Sequence, residues 1–198
     1  MPEVVIKGWP AVVLAFISAL VVTWYYIPKV IRVVRKKDLQ DKPGLHKIHE
    51  SAVPTLGGIG IFAGFIFGYF MGVNNYMPGL SYFTAAAMML FFVGITDDLL
   101  HLNPVKKLLA EIGTALIITI FTDLRFTNLH GFLGVSTIPG WASYLITIFL
   151  MVLIINAVNL IDGIDGLAAS VGIIASAAFG TFFCLSGDFG YTVMAAAL

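Results

Sequence analysis

The sequence predicts an all-α membrane protein: a polytopic transmembrane helix bundle of about six helices plus the start of a seventh, with its N-terminus outside. Three observations predict it. Of the 198 residues, 59% are hydrophobic and 11% are charged, whereas a soluble domain carries about a quarter charged residues. The mean hydropathy is +0.96, and the apolar residues fall into runs close to the ~20 residues that cross a bilayer. The formal net charge is zero, yet the cations are segregated into particular loops. These features leave no room for a separate soluble domain and give no basic surface for nucleic acid. Residues 1–198 therefore read as a single transmembrane domain.

The spans follow in order. The first apolar run, 9–31, is too long for a signal peptide, and no small-residue cleavage site follows it. The second and third, 56–73 and 80–97, share a stretch without charge from Ser51 to Thr96. The turn Asn74-Asn75-Tyr76-Met77-Pro78-Gly79 divides them. The fourth, 105–122, is the least apolar, because Lys106, Lys107 and Glu111 fall in its first two turns. The fifth and sixth cover 139–160 and 167–186, and a seventh begins near Tyr191. Cys184 stands alone, which excludes an intrachain disulfide and a cysteine metal site. Gly60, Gly64, Gly68 and Gly72 recur every four residues in the second run. Such a small-residue stripe permits close helix packing, within one chain or between the two copies of a homodimer.

Arg32, Arg35, Lys36, Lys37, Lys42 and Lys47 lie between the first two runs, and Lys106 and Lys107 follow the third. The opposite side holds Lys7 and Arg125. The positive-inside rule therefore puts the 32–55 segment in the cytoplasm. By parity the ends of helices one, three and five share that face. Between Asp123 and Gly140, on the other side, the Gly-punctuated stretch predicts a short irregular hairpin, with His130 a plain surface residue.

Three polar clusters interrupt the apolar pattern on the cytoplasmic side. Asp97 and Asp98 end the third helix; two adjacent carboxylates repel unless a cation lies between them. They suit a hard oxygen-ligand site for Mg²⁺ shared with substrate phosphates. Asn156, Asn159, Asp162 and Asp165 are spaced by three at the end of a run with no Asp, Glu, Lys or Arg from Phe126 to Ile161. Ionisable groups at a membrane edge point to function. Gly163 and Gly166 break the helix there and permit close approach of a ligand to the backbone. A Ca²⁺ loop of the EF-hand type needs a closing Glu, and none follows Glu111. The basic segment carries Lys42, Pro43, His46, Lys47, His49, Pro54, Gly57 and Gly58, more structure than a lipid-attracted polybasic patch requires. His46 and His49 lack a third ligand nearby for zinc.

These motifs resemble, in order, those of the polyprenyl-phosphate N-acetylhexosamine-1-phosphate transferase family. Asp41-Lys-Pro43 through His49 and Pro54-x-x-Gly-Gly58 look like its first cytoplasmic loop. Gly94-Ile-Thr-Asp97-Asp98 looks like its aspartate pair, and Asn156-x-x-Asn159-x-x-Asp162-Gly-x-Asp165-Gly-Leu167 like its nucleotide-sugar motif. His130-Gly-Phe-Leu-Gly134 and Pro139-x-Trp141 resemble the hairpin of the undecaprenyl-phosphate N-acetylglucosamine-1-phosphate transferase branch. His46 stands where many members carry Arg. The family's later Gly-Asp-x-Gly-Ser motif and His-rich loop have no counterpart before Leu198, so the chain is expected to be truncated at its C-terminus relative to a full member.

The resemblance implies transfer of a sugar 1-phosphate, N-acetylglucosamine 1-phosphate above all, from a UDP-sugar to undecaprenyl phosphate, with release of UMP. The reaction would initiate a cell-envelope glycan such as lipopolysaccharide or teichoic acid, in the bacterial inner membrane with the active site facing the cytoplasm. It implies Mg²⁺, or Mn²⁺ in its place. Asp97, Asp98 and Asp162 are the implied catalytic residues, and Asp97, Asp98, Asn159 and Asp162 the implied metal ligands. Lys42, Lys47, His49, Asn156, Asn159 and Asp165 would bind substrate. Two alternatives stay open at this point: a secondary transporter, since polar breaks in helices mark transport sites, and a non-catalytic fragment of the transferase.

Overall fold

The computed structural model describes residues 8–37, 40–41, 53–54, 56–73, 79–134, 136–162, 164 and 166–198. It is an all-α membrane protein with seven helices among those residues: α1 Trp9–Lys36, α2 Gly57–Gly72, α3 Leu80–Leu100, α4 Pro104–Thr122, α5 Gly140–Ile161, α6 Leu167–Leu185 and α7 Phe189–Ala197. Two short strands, β1 Gln40–Asp41 and β2 Val53–Pro54, pair in antiparallel register, Gln40 opposite Pro54 and Asp41 opposite Val53. Four helices, α1, α3, α5 and α6, are long and apolar enough to cross a membrane. At 16 residues α2 is shorter, and α4 carries its charges in the first two turns.

Helix α1 runs five residues beyond the apolar stretch. Hydropathy ends at residue 31, but Arg and Lys are good helix formers. Arg35 and Lys36 fall in the last turn, where cations complement the helix dipole. Lys29, inside the apolar stretch, places its ammonium 3.0 Å from the centroid of the Tyr25 ring, a cation–π contact that gives an intramembrane charge a partner.

The chain packs as two units, Met1–Met77 with Asp162–Leu198, and Pro78–Ile161. In the first, α1 packs on α2 and α7, and α6 packs on α7. The glycine stripe of α2 lies on a matching small-residue stripe of α1. A Cβ on Gly72 would come within 2.8 Å of Ala11 O, and one on Gly68 within 2.6 Å of Ala15 O. A Cβ on Gly64 would come within 2.8 Å of Ala19 O and would overlap Thr23 Oγ1, while one on Gly60 would meet Ile27. Ala11, Ala15, Ala19 and Thr23 are also spaced by four, so two matching ridges close antiparallel on each other. The stripe thus serves packing within the chain.

In the second unit α4 lies between α3 and α5. Its buried residues are Glu111, Thr114, Ala115 and Thr119, a stripe at helical spacing made of small and polar groups. Tyr82 of α3 stacks on Phe121 of α4 at 4.8 Å between centroids. Thr119 Oγ1 donates to Met151 Sδ on α5 at 3.9 Å. The α4–α5 connection forms the irregular hairpin read from the sequence. Asn128 and Thr137 bridge, and Leu129 N–H donates to Ser136 O at 2.8 Å. Phe132–Gly134 adds a single 3₁₀ turn, and His130 is exposed.

Candidate active site

A tight turn between α3 and α4 builds the site. His101 caps α3 in the left-handed region at φ 51°, and its N–H donates to Asp97 O at 2.9 Å. Asn103 caps α4: its Oδ1 accepts from Val105 N at 2.9 Å, and Pro104 occupies the first turn, where its missing N–H costs nothing. The chain therefore reverses within Leu102 and its neighbours, and the last turn of α3 meets the first turn of α4.

That reversal brings Asp97 to Lys107. The ammonium donates to Asp97 Oδ2 at 2.8 Å, and Asp97 Oδ1 accepts from Leu102 N at 3.1 Å. Lys107 also donates to Asn159 Oδ1 on α5 at 3.0 Å. One ammonium therefore ties the end of α3 to the end of α5. With side-chain exposures of 21% and 26%, the Lys107–Asp97 pair is sheltered enough to be held in place, yet open to a ligand from water.

One turn further along α4, Glu111 is 1% exposed. Its Oε2 accepts from Asn156 Nδ2 at 2.5 Å, and the same amide nitrogen donates to Val152 O at 2.9 Å. Glu111 Oε1 is buried with no hydrogen-bond partner among the described residues. Lys107 and Glu111, four apart on α4, thus read Asn159 and Asn156, three apart on α5. The two helices are pinned in rotation at two successive turns.

Of the residues expected at the site, Asp97, Asn156 and Asn159 are brought together within one packing unit. Asp98 is exposed beside Asp97 in the last turn of α3. Asp162 is exposed just past the end of α5 and counts with the other unit. Lys42, Lys47, His49 and Asp165 lie outside the described residues. The structure adds Lys107 and Glu111, which the sequence offered only as loop charge and as a weakness in the fourth helix. The signal that could have found them is their i, i+4 spacing in phase with Thr114, Ala115 and Thr119 on the inward face of α4.

The donor set fits a divalent cation of the Mg²⁺ kind. Asp97 Oδ2 and Asn159 Oδ1 are hard oxygen donors from different helices, and both are aimed at one point that already accommodates a positive charge, the Lys107 ammonium. Mg²⁺ keeps several waters and needs only one or two protein carboxylates with substrate phosphates. Accordingly, no cluster of three or more His, Cys, Asp or Glu side chains is required, and none occurs among the described residues.

Removing the Glu111 carboxylate should loosen this pin. Glu111→Ala leaves a cavity and a buried amide with one bond fewer, and is expected to cost about 2–3 kcal/mol of stability. Glu111→Gln keeps an oxygen for Asn156 and is expected to stay within about 1 kcal/mol of wild type. Thermal unfolding of the detergent-solubilised protein reads the difference, and equal melting temperatures for the two variants would contradict the role.

Sequence comparisons give the family of the chain. Residues 80–198 match the model of glycosyl transferase family 4. A Bacillus subtilis (strain 168) protein named "Probable undecaprenyl-phosphate N-acetylglucosaminyl 1-phosphate transferase" is 33% identical over 164 residues, covering 82% of this chain and 46% of the relative. Undecaprenyl-phosphate alpha-N-acetylglucosaminyl 1-phosphate transferases from Escherichia coli (strain K12) and Salmonella typhi are 28% and 30% identical over 173 residues, covering 87% of this chain and 47% of each relative. The chain spans about half the length of the curated relatives it matches. With more than half of its residues matching the family model, including the whole of α3, α4, α5, α6 and α7, the chain belongs to glycosyl transferase family 4.

Proposed function

We propose that the protein carrying this chain transfers N-acetylglucosamine 1-phosphate from UDP-N-acetylglucosamine to undecaprenyl phosphate and releases UMP. The reaction would take place at the cytoplasmic face of the bacterial inner membrane and begin a cell-envelope glycan. The names of the relatives support the reaction class. The observation that carries the reading is the Lys107 ammonium held between Asp97 and Asn159, which gathers a cation and two oxygen donors at one point. Two phosphate-bearing anions must meet in such a reaction. Unit charges 4 Å apart repel by about 4 kcal/mol at an effective dielectric of 20, so a site of this kind needs positive charge before it needs a base.

In this reading an oxygen of the lipid phosphate forms a bond to the phosphorus that bears the sugar. The bond from that phosphorus to the oxygen bridging the two phosphates breaks, and UMP leaves with the electron pair. The lipid phosphate is already mostly ionised at neutral pH, so no strong base is required. Asp97 and Asp98 orient the lipid phosphate and, with Asn159 and Asp162, would hold Mg²⁺ or Mn²⁺. When bound, that ion supplies charge that offsets the repulsion and stabilises the leaving oxygen. Asp165 and Asp162 hold the uridine diphosphate part with Asn159. Lys107, Lys42, Lys47 and His49 neutralise phosphate charge. Asn156 sets the rotation of α5 through Glu111 and so places Asn159. Six crossings, α1 to α6, with the N-terminus outside, would put the ends of α1, α3 and α5 on the cytoplasmic side. The segregation of cations supports that sidedness.

The test is direct. Membranes containing the protein are mixed with sugar-labelled UDP-N-acetylglucosamine, undecaprenyl phosphate and Mg²⁺. Labelled lipid and free UMP should appear together, and both should vanish when undecaprenyl phosphate is omitted. Movement of label into sealed vesicles without lipid product would favour a transporter instead.

A further inference from the structure

Lys107 occupies the point on which the donor oxygens converge. Its ammonium is 2.8 Å from Asp97 Oδ2 and 3.0 Å from Asn159 Oδ1, and both atoms are candidates to bind the metal. An ammonium and a divalent cation cannot share that point, since their like charges repel and they compete for the same lone pairs. Without the ammonium, the Asp97 carboxylate would face the Asn159 carbonyl dipole with nothing between them, and the ends of α3 and α5 would lose the tie that Lys107 gives them. The lysine therefore does two opposed things. It keeps the donor oxygens assembled, and it blocks the ion they would hold.

The side chain has somewhere to go. Lys107 lies in the first turn of α4, at partial exposure, on a flexible four-carbon stem. An incoming pyrophosphate is a stronger partner for an ammonium than one carboxylate shared with an amide, because it offers several anionic oxygens at once.

We propose that Lys107 is a resident counter-ion that holds the metal-binding oxygens in register and surrenders them only when a phosphate-bearing donor takes its ammonium. This inference rests on the transferase reading of the site. It makes Lys107 a coupling residue: the divalent cation binds weakly alone and tightly with a nucleoside diphosphate. By linkage the nucleoside diphosphate also binds more tightly with the cation. A lysine that only contacted phosphate would leave metal binding in the absence of nucleotide unchanged. One that only braced the helices would, when removed, weaken it.

The experiment measures Mn²⁺ binding to the detergent-solubilised protein by electron paramagnetic resonance, with and without UDP, and needs no turnover. For wild type, UDP should tighten Mn²⁺ binding by roughly one to two orders of magnitude, within the usual range of coupling between sites. For Lys107→Met, Mn²⁺ alone should bind about tenfold tighter than to wild type, because the competing charge is gone. UDP should add little further. Lys107→Gln, which keeps a donor to Asp97 or Asn159 without the charge, should show the same increase and guards against a folding defect in the methionine variant. Mn²⁺ affinity in the absence of UDP that is unchanged or weaker in both variants overturns the proposal. The transferase reading fails separately, through absence of lipid product in the wild-type assay, so the two failures are distinguishable.

Discussion

Gly64→Leu should prevent the first packing unit from closing. A Cβ at this position would sit 2.8 Å from Ala19 O, a backbone atom that cannot move unless α1 moves. It would also overlap Thr23 Oγ1. The larger side chain then forces apart two helices that approach closely along four successive glycines, and the whole ridge of Ala11, Ala15, Ala19 and Thr23 loses contact with it. The expected cost is about 3 kcal/mol, the upper end of what overpacking usually does, and a large share of the ~5–15 kcal/mol that holds a folded domain together. Gly172→Ala is the control. A Cβ there meets nothing within 4 Å among the described residues, and alanine is the better helix former by about 1 kcal/mol. Thermal unfolding in detergent should therefore separate two glycine substitutions in opposite directions. A Gly64→Leu protein that melts with wild type would contradict the packing described for α1 and α2.

Asp97→Asn should remove catalysis while leaving the fold in place. The substitution keeps an oxygen that accepts from Leu102 N, so the turn between α3 and α4 stays capped. It takes away the charge that Lys107 Nζ meets at 2.8 Å and that a divalent cation would need. If the site works by gathering charge on two phosphates, the loss should be about 10²–10³-fold in turnover, comparable to removing one preorganised electrostatic contact in other enzymes. Product formation per mole of folded protein is the measurement. A drop matched by an equal drop in folded protein would make Asp97 a structural residue and remove it from the proposed mechanism.

The helices were legible in the sequence because hydropathy and helix length are set by the same bilayer thickness. The glycine stripe of α2 was legible for a similar reason, since its period of four needs no knowledge of a partner. Its partner on α1 was harder to read. Ala11, Ala15, Ala19 and Thr23 recur with the same period, but alanine is ordinary in any helix and does not announce a close contact. The extension of α1 to Lys36 was missed because charge ends a hydropathy window without ending a helix.

At the site, Asp97, Asn156 and Asn159 stood out as polar groups at the ends of apolar runs. Lys107 did not, because its meeting with Asp97 depends on the left-handed backbone of His101 and the cap at Asn103, which no spacing rule encodes. Glu111 meets Asn156 across 45 residues of sequence, a pairing that exists only once α4 lies on α5. A charge in a membrane helix reads as a flaw in the span until its partner is known. Here two of the three charges of α4 that blurred its apolar pattern, Lys107 and Glu111, are the ones that fix α3 and α5 around the site.

The central claim is that a sugar 1-phosphate moves as one group, so the phosphate must travel with the sugar. UDP-N-acetylglucosamine labelled with ³²P in the phosphate next to the sugar distinguishes this from transfer of the sugar alone. With undecaprenyl phosphate and Mg²⁺ in membranes containing the protein, the account predicts that the label enters the lipid and that the UMP released is unlabelled. Label retained in UDP, or a lipid product carrying sugar without label, would contradict it.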